Sequence, residues 1–465
     1  MMSYRLQSMF LALAASFSGN VLASDGGNAP AAAVERGGRP TRLTAREVAA
    51  IAAREAPAVM AARYEVESAE ADKDAINRLR YPDLALSARY ARLSAIPERL
   101  RTLSFSLPEG TANVVLPEFL NTYAARAALV VPLTDAWLGL AANVKALGHV
   151  TEAKKLELAA TQAQVSFEAR SAFLIYRRAV GARRIAASAL EIASAQLEDQ
   201  EKRVNAGVAA ASSTLTFEAA RNAATARLHI SEAETIAAET AIRVFLPKSL
   251  ATVPLSLEEE GSPLPSSSDI QNSPLLKAAL TAISAADARV SAEIMSALPR
   301  LALVAGASVD APSQRAFAAS KLEAVPAWDI TLQLEWSLSW LTTGAAKKNH
   351  AIAEREALRY RAEDARRQLE AQQKSAVAAQ SSAQARVAAA QAGEATAQKL
   401  SKARRTELAS GFATPLDLTA AESERVRAEL EQEDAELELK LAEARLAFVG
   451  GYIESFGRTE TWTKE

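Results

Sequence analysis

The nine residues Ile330 to Leu338 read "ITLQLEWSL". Ile330, Leu332, Leu334, Trp336 and Leu338 alternate with Thr331, Gln333, Glu335 and Ser337. A period of two predicts a strand with one oily and one wet face. The stretch is surrounded by alanine mixed with Glu, Lys, Arg and Gln, the composition of long helices. A mostly helical chain with so clean an amphipathic strand must expose that oily face to something other than water.

The chain has 465 residues, 53 basic against 55 acidic side chains and a net charge of −2, so no global field invites nucleic acid. Aromatics make up 5% and the 49% apolar content leans on alanine, which favours slim, closely packed helices over a thick globular core. At the N-terminus, Arg5, the short apolar run "MFLALAASF" and the small-residue site Val21-Leu22-Ala23 read as a secretory signal, cut before Ser24. With no cysteine in the sequence, neither a disulfide framework nor a lipid anchor at the cleavage site is expected. The longest apolar stretch, "AALVVPLTDAWLGLAA", is interrupted by Pro132 and Asp135, so no membrane-spanning helix is expected after processing.

The chain is written twice. Pro57 and Pro274 stand 217 residues apart, and so do Pro82 and Pro299. Later, "RVNAGVAAASSTLTFEAAR" resembles "ELASGFATPLDLTAAESER"; Gly207 and Gly411, Glu218 and Glu422, and Arg221 and Arg425 are each 204 apart. Paired prolines and glycines at constant offsets mark a duplication better than alanine-rich helices can. The order in each copy is helix, strand, strand, long helix, glycine turn, return helix. The expected boundaries are a signal peptide over 1–23, a flexible segment over 24–43, repeat one over 44–246, a linker over 247–266, repeat two over 267–456 and a tail over 457–465. In repeat one an unbroken helix is expected from Thr44 to Arg80, then strands "PDLALSARYA" and "TYAARAALVV", with a loop of some 28 residues between them. Glu218 with Arg221, and Glu422 with Arg425, read as ordinary helix-surface pairs.

The long helices, at some 65 to 70 residues, would extend about 100 Å and must lie along partners as coiled coils. In the last helix Val426, Leu430, Leu437, Leu441, Ala444 and Phe448 follow a near-heptad spacing. Strands of about ten residues have the length that crosses a bilayer when tilted. The oily face then suits lipid and the polar face a watery lumen. An open four-stranded sheet is excluded there, because each unpaired backbone group in hydrocarbon costs several kcal/mol. The chain would have to pool strands with copies of itself. Tyr90, Tyr123, Trp328 and Trp336 are the expected membrane-interface aromatics. The alternatives are a soluble sheet packed on helices, or a periplasmic adaptor or structural coiled coil without a pore; two complete helix-strand-strand-helix units count against an adaptor. His149, His229 and His350 lie far apart with no metal-ligand spacing, and no nucleophile or phosphate-loop motif appears, so neither an enzyme nor a cofactor is expected.

This order of parts resembles the outer-membrane efflux protein family, the TolC-like channel-tunnels, over about residues 44 to 456. The specific signature is the turn between long and return helices, with an Arg before the glycine and an Asp and a Glu after it. Arg203, Gly207 and Glu218 match in repeat one, with Ser213 in the Asp position; Gly411, Asp417 and Glu422 match in repeat two, with Glu407 in the Arg position. The element after the second strand is partial, keeping Pro132 and Leu133 in "VPLTDAWLG", and Leu338 and Gly344 in "WSLSWLTTG". The resemblance implies a fold that is mainly α with transmembrane β. Three protomers would pool strands into a barrel of about 12, continued into the periplasm by a helical tunnel. It also implies an outer-membrane exit duct of a Gram-negative bacterium, docking a periplasmic adaptor and an inner-membrane pump or ABC exporter. Asp417, with Ser213 as its counterpart, is the expected periplasmic gate, although an acid just after Pro415 is also an ordinary helix N-terminal residue. Gly207, Val208, Gly411, Phe412 and Leu416 form the expected adaptor-docking tip.

Overall fold

The computed structural model describes residues 42–98, 101–108, 110–115, 118–250, 252–257, 269–313, 324–336 and 343–452. The signal segment, nearly all of 24–43, half of the linker, the tail, and Ser337 and Leu338 lie outside the described residues. Leu43 and Val253–Leu255 belong to a small unit of their own, in which Leu43 bridges Leu255 in parallel and its N–H donates to the Pro254 carbonyl at 2.9 Å. All the named elements lie in the other unit.

Where one opening helix was expected there are two, α1 (Ala45–Glu55) and α2 (Pro57–Arg78). Thr44 caps α1 through a capping box, its hydroxyl accepting from the Glu47 N–H at 3.3 Å while the Glu47 carboxylate accepts from the Thr44 N–H at 2.9 Å. Ala56, at φ −61° and ψ 142°, is extended because the Pro57 ring excludes the α region from its predecessor. Strand β1 (Asp83–Arg92) follows. The segment expected to be a plain loop holds a hairpin, β2 (Thr102–Leu107) and β3 (Gly110–Val115). Leu107 and Gly110 are the register partners that close this hairpin, with Pro108 in its turn.

After β4 (Asn121–Pro132) come α3 (Gly139–Asn205) and α4 (Ser212–Arg243). The second half runs α5 (Pro274–Met295), β5 (Arg300–Ala311), β6 (Val325–Glu335), α6 (Thr343–Ala409) and α7 (Pro415–Val449). Helices α3 and α6 each have 67 residues, about 100 Å of helix. No helix among the described residues is long and apolar enough to cross a membrane.

The main sheet is antiparallel, in the order β1-β4-β5-β6. Register sets Leu86 opposite Ala127, Leu129 opposite Ala305, and Ala305 opposite Ile330, so the apolar columns of all the strands share one face. Leu84, Leu86 and Tyr90 on β1, and Trp328, Ile330, Leu332 and Leu334 on β6, stand exposed there. The opposite face carries Ser87, Arg126, Ser308, Asp329, Thr331 and Gln333.

Helix α3 is the hub, packing on α1, α2, α4, α5 and α7, while α6 packs on α7 and α5. The seams are built from small residues at heptad spacing. Buried in α7 are Ala421, Ala428, Ala435, Ala442 and Val449; in α6, Ala362, Leu369, Ala376, Ala383 and Ala397. The first helical pair uses Ala179, Ala186, Ala193 and Gln200 of α3, and Phe217, Ala224, Ser231 and Ala238 of α4. Of the near-heptad seam expected from spacing, Val426 and Ala444 are buried; four members remain, Leu430, Leu437, Leu441 and Phe448. These are only half-buried, flanking an alanine column that lets the backbones approach. The closeness is visible in hydroxyls that reach across helices: Thr235 Oγ1 donates to the Ala179 carbonyl, and Thr151 Oγ1 to that of Ala69, both at 3.2 Å. Ala435 is 1% exposed. Ala435→Leu should therefore overpack the seam and destabilise the protein by about 1–3 kcal/mol, read as a lower midpoint in thermal unfolding of the detergent-solubilised protein, whereas Ala435→Gly should cost less than about 1 kcal/mol.

Candidate functional site

The two helical turns are built alike. Asn205 ends α3, and Gly207 follows at φ +74°; Ala409 ends α6, and Gly411 follows at φ +80°. In both, paired backbone bonds close the helix. The Val208 N–H donates to the Arg203 carbonyl and that of Gly207 to Val204; the Phe412 N–H donates to Glu407 and that of Gly411 to Leu408, at 2.8–3.2 Å. This is the Schellman arrangement, which needs a left-handed residue at the glycine. It also explains why Arg203 and Glu407 can occupy one motif position: each contributes its carbonyl. Their side chains take other partners, Arg203 pairing with Asp199 at 3.1 Å and Glu407 with Arg404 at 2.7 Å.

The structure brings the two turns to one end. Leu197 of α3, Phe217 of α4 and Leu418 of α7 form a buried apolar cluster, with Leu408 of α6 packed against it. Beyond this plug the expected tip residues face solvent, Val208 at 76%, Leu416 at 67% and Phe412 at 86% exposure. Beside it α3, α4 and α7 enclose a cleft of about 370 Å³, lined largely by alanine together with Gln196, Thr419 and Arg425.

Asp417 sits at the third position of α7, directly after Thr414-Pro415-Leu416. Its carboxylate accepts from the Thr414 hydroxyl at 2.7 Å and the Thr414 N–H at 2.8 Å, while its own N–H donates to the Thr414 hydroxyl at 3.2 Å. These donors hold its pKa below the ordinary value, the Thr414 hydroxyl first. Ser213 is engaged differently, donating to the Ala210 carbonyl and accepting from Gln200 Nε2, each at 2.5 Å. The two positions are thus alike in place and unlike in chemistry.

A charge network behind the second turn was missed in the sequence. Glu422 of α7, only 9% exposed, accepts from Ser401 Oγ at 2.9 Å and Arg405 Nη2 at 2.7 Å, both on α6, and from Arg425 Nε at 2.9 Å. Arg425 also pairs with Glu429. Read along one helix, Glu422 and Arg425 are an ordinary surface pair. Only the facing α6 residues turn them into a buried node. In the first copy Arg221 instead donates to the neighbouring Asn222 at 3.1 Å. Burial pushes the Glu422 pKa up, but the hydrogen bonds from Arg425, Arg405 and Ser401 together bring it below 4.5.

At the sheet, the expected aromatics separate into two levels. Tyr90 and Tyr123 are register partners with ring centroids 5.2 Å apart, and Tyr90 Oη donates to Asn121 at 3.1 Å. Trp336, just past β6, donates Nε1–H to the Ala297 carbonyl at 3.3 Å. Trp328 stands exposed on β6 between these levels. Trp137, which the sequence reading passed over, is exposed at the start of α3 beneath the Arg80 guanidinium, 5.7 Å from the ring centroid. An aromatic ring two residues before a long helix was the available signal. Among the described residues no group of three His, Asp or Glu side chains could hold a metal ion.

Residues 266–451 match the sequence profile of the family described as outer membrane efflux protein. Three solved structures share the architecture. The outer-membrane channel OprN superposes with a TM-score of 0.71 at 20% identity over 90% of this chain and 91% of its own. The Campylobacter jejuni CmeC outer membrane channel gives 0.72 at 14% identity over 88% and 86%. The open state of the Neisseria gonorrhoeae MtrE outer membrane channel gives 0.70 at 17% over 88% and 89%. The chain has the outer membrane efflux protein fold. No curated protein matches it in sequence. Within that fold, the matched segment contains α5 to α7, the second glycine turn and the Glu422 node.

Removing the Glu422 carboxylate would leave Arg425, 13% exposed and still paired with Glu429, beside a buried gap, while Arg405, 57% exposed, can turn to solvent. Glu422→Ala should lower stability by about 3 kcal/mol at pH 7. Because the folded-state pKa lies below the unfolded value, this contribution is complete above pH 4.5 and is lost as the pH falls through the lowered folded pKa. Thermal unfolding of wild type and Glu422→Ala should therefore converge in acid; a gap independent of pH would mean that the charge is not what stabilises the node.

Proposed function

We propose that the protein is an outer-membrane exit duct of a tripartite efflux or type I secretion system. The observation that carries this reading is the four-stranded sheet, oily on one face and polar on the other, with β1 and β6 as unpaired edges. Each edge strand leaves roughly ten backbone groups without a strand partner, and in hydrocarbon these would cost some tens of kcal/mol. Pairing β6 of one copy with β1 of the next removes the cost, and three copies give a closed barrel of about 12 strands. The likeness to OprN, CmeC and MtrE, all outer-membrane channels by description, supports the same reading.

In this assembly the sheet lies in the outer membrane of a Gram-negative bacterium, its apolar face on lipid and its polar face on the lumen. Tyr90 and Tyr123 belong to one interfacial belt and Trp336 to the other; Trp328 faces lipid between them. The long helices α3 and α6 extend the conduit by about 100 Å. The two helix-strand-strand-helix units, over 44–246 and 267–456, descend from a duplication joined by the linker at 247–266, and the segment 1–23 directs export. The duct is passive, with energy supplied by an inner-membrane pump or ABC exporter acting through a periplasmic adaptor.

The glycine turns form the periplasmic tip. Val208, Phe412 and Leu416, presented by Gly207 and Gly411, are the adaptor's contacts; their exposure beyond a buried plug supports this. Asp417, three per trimer, forms the gate ring, and Ser213 is its uncharged counterpart.

The mass of the particle extracted by detergent from outer-membrane fractions tests the assembly. A trimer is expected; a monomer in the soluble periplasmic fraction would replace the duct with a soluble adaptor or coiled coil. Phe412→Asp should abolish export while leaving the trimer intact. For the gate, Asp417→Ala should raise conductance and abolish block by divalent cations in a planar bilayer. Thr414→Ala, which removes only the hydroxyl of the cap, should keep the block while losing about 1 kcal/mol of stability. Equal effects of the two variants on block would reduce Asp417 to a capping residue.

A further inference from the structure

The polar face of the sheet carries one ion pair that crosses a strand. Arg126, at the middle of β4, places Nη2 3.6 Å from Asp329 Oδ2 on β6. Strands β4 and β6 are not neighbours, since β5 lies between them, so the pair spans two inter-strand spacings, about 10 Å. It passes over Gly306 of β5, whose register partner on β6 is Asp329 itself. A Cβ on Gly306 would lie 2.7 Å from Asp329 Oδ1 and 3.0 Å from Arg126 Nη2. The absence of a side chain there is what leaves the guanidinium and the carboxylate room to meet. Ser87 and Ser308, the register partners of Arg126 on its two neighbouring strands, are small and neutral.

The pair is a poor source of stability. Its side chains are 51% and 38% exposed, and pairs of that kind contribute little. Nor is it needed for register, which the backbone ladders of β4, β5 and β6 already fix. Its physical effect is cancellation. A lone charge on the wall of a water-filled pore with an apolar outer face creates a potential that sorts ions by sign, and two opposite charges a few ångströms apart remove it. The other charges on this face are Asp83, Arg300 and Glu335 at the strand ends beside the helices, and Arg89 and Asp310, which share the row through Ala124 one same-face step from Arg126 and are of opposite sign. At mid-strand the face is neutral only while Arg126 and Asp329 are both present.

We infer that Arg126 and Asp329 are the residues that set ion selectivity in the barrel, holding its middle electrically neutral so that cargo of either sign passes. The inference rests on the exit-duct reading. Its test is the reversal potential of the purified trimer in a planar bilayer across a potassium chloride gradient, which gives the potassium-to-chloride permeability ratio, with Asp417→Ala as the common background so that the carboxylate ring at the tip does not sort ions in series with the barrel. Asp329→Asn leaves one uncancelled Arg126 per protomer, and the ratio should fall about threefold, three unit charges acting through screened water near the axis. Arg126→Gln leaves Asp329 and should raise the ratio by about the same factor. The exchange variant, Arg126→Asp with Asp329→Arg, should return it to the value of the Asp417→Ala parent, which separates charge cancellation from damage to the barrel. If the single variants conduct but leave the ratio unchanged, or move it in the same direction, the inference is overturned and the duct stands. If the wild-type protein gives no conductance, the duct reading fails and this inference fails with it.

Discussion

Close approach of helix backbones along small-residue seams is the constraint on which the rest of this structure depends. A helix of 67 residues cannot be stabilised by folding back into a globule, so it must be supported along its whole length. Columns such as Ala421-Ala428-Ala435-Ala442 bury little area per residue. They compensate by bringing the backbones near enough for continuous dispersion contact and for hydroxyls such as Thr235 to reach a neighbouring carbonyl. Heptad spacing keeps the column on one face over many turns. Alanine also explains the composition: a chain built on such seams needs few aromatics. The charged residues left on the flanks tie one helix to the next, as Arg178 does with Asp434 at 2.7 Å and Glu234 at 3.4 Å.

The sheet obeys the opposite logic. Among the described residues it has no apolar partner for its oily face, and its edges are open. Both defects vanish together if the sheet closes on copies of itself in lipid, which is why the strands and the oligomer belong to one argument. The helices then inherit the symmetry, since Pro132 and Leu133 pass from β4 directly towards α3 while Thr134 holds β5 beside them through the Leu301 N–H at 2.8 Å.

Much of this was legible in the sequence because it rests on periodicity. Alternation and the proline and glycine punctuation fix strands and turns through local rules: the strand expected over Pro82–Ala91 is found at Asp83–Arg92, and the one over Thr122–Val131 at Asn121–Pro132. What escaped depends on residues distant in sequence. The hairpin β2–β3 lay hidden behind Pro108 and Gly110, which signal a turn without saying whether strands flank it. The break at Ala56 was readable from Pro57 but outweighed by the helical pattern on either side. Of the near-heptad seam, Val426 and Ala444 are buried while the larger Leu430, Leu437, Leu441 and Phe448 flank the alanine column, because two closely facing backbones leave room only for small side chains between them. Glu422 was read from its own helix, whereas Ser401 and Arg405, which make it a buried node, come from the other.

At the tip the same physics has a consequence for motion. The plug of Leu197, Phe217, Leu418 and Leu408 joins all four helices, so the two turns are coupled through packing. The two hairpins are secured unequally behind it. The α6–α7 pair is locked by the Glu422 node and by a capping box at Thr414, while α4 starts at Ala211 without a side-chain cap and is held to α3 there by the Gln200–Ser213 contact. A buried, multiply bonded carboxylate resists opening more than a single neutral contact does. Any rearrangement that widens this end should therefore begin in the α3–α4 hairpin, with α6–α7 moving as a rigid body.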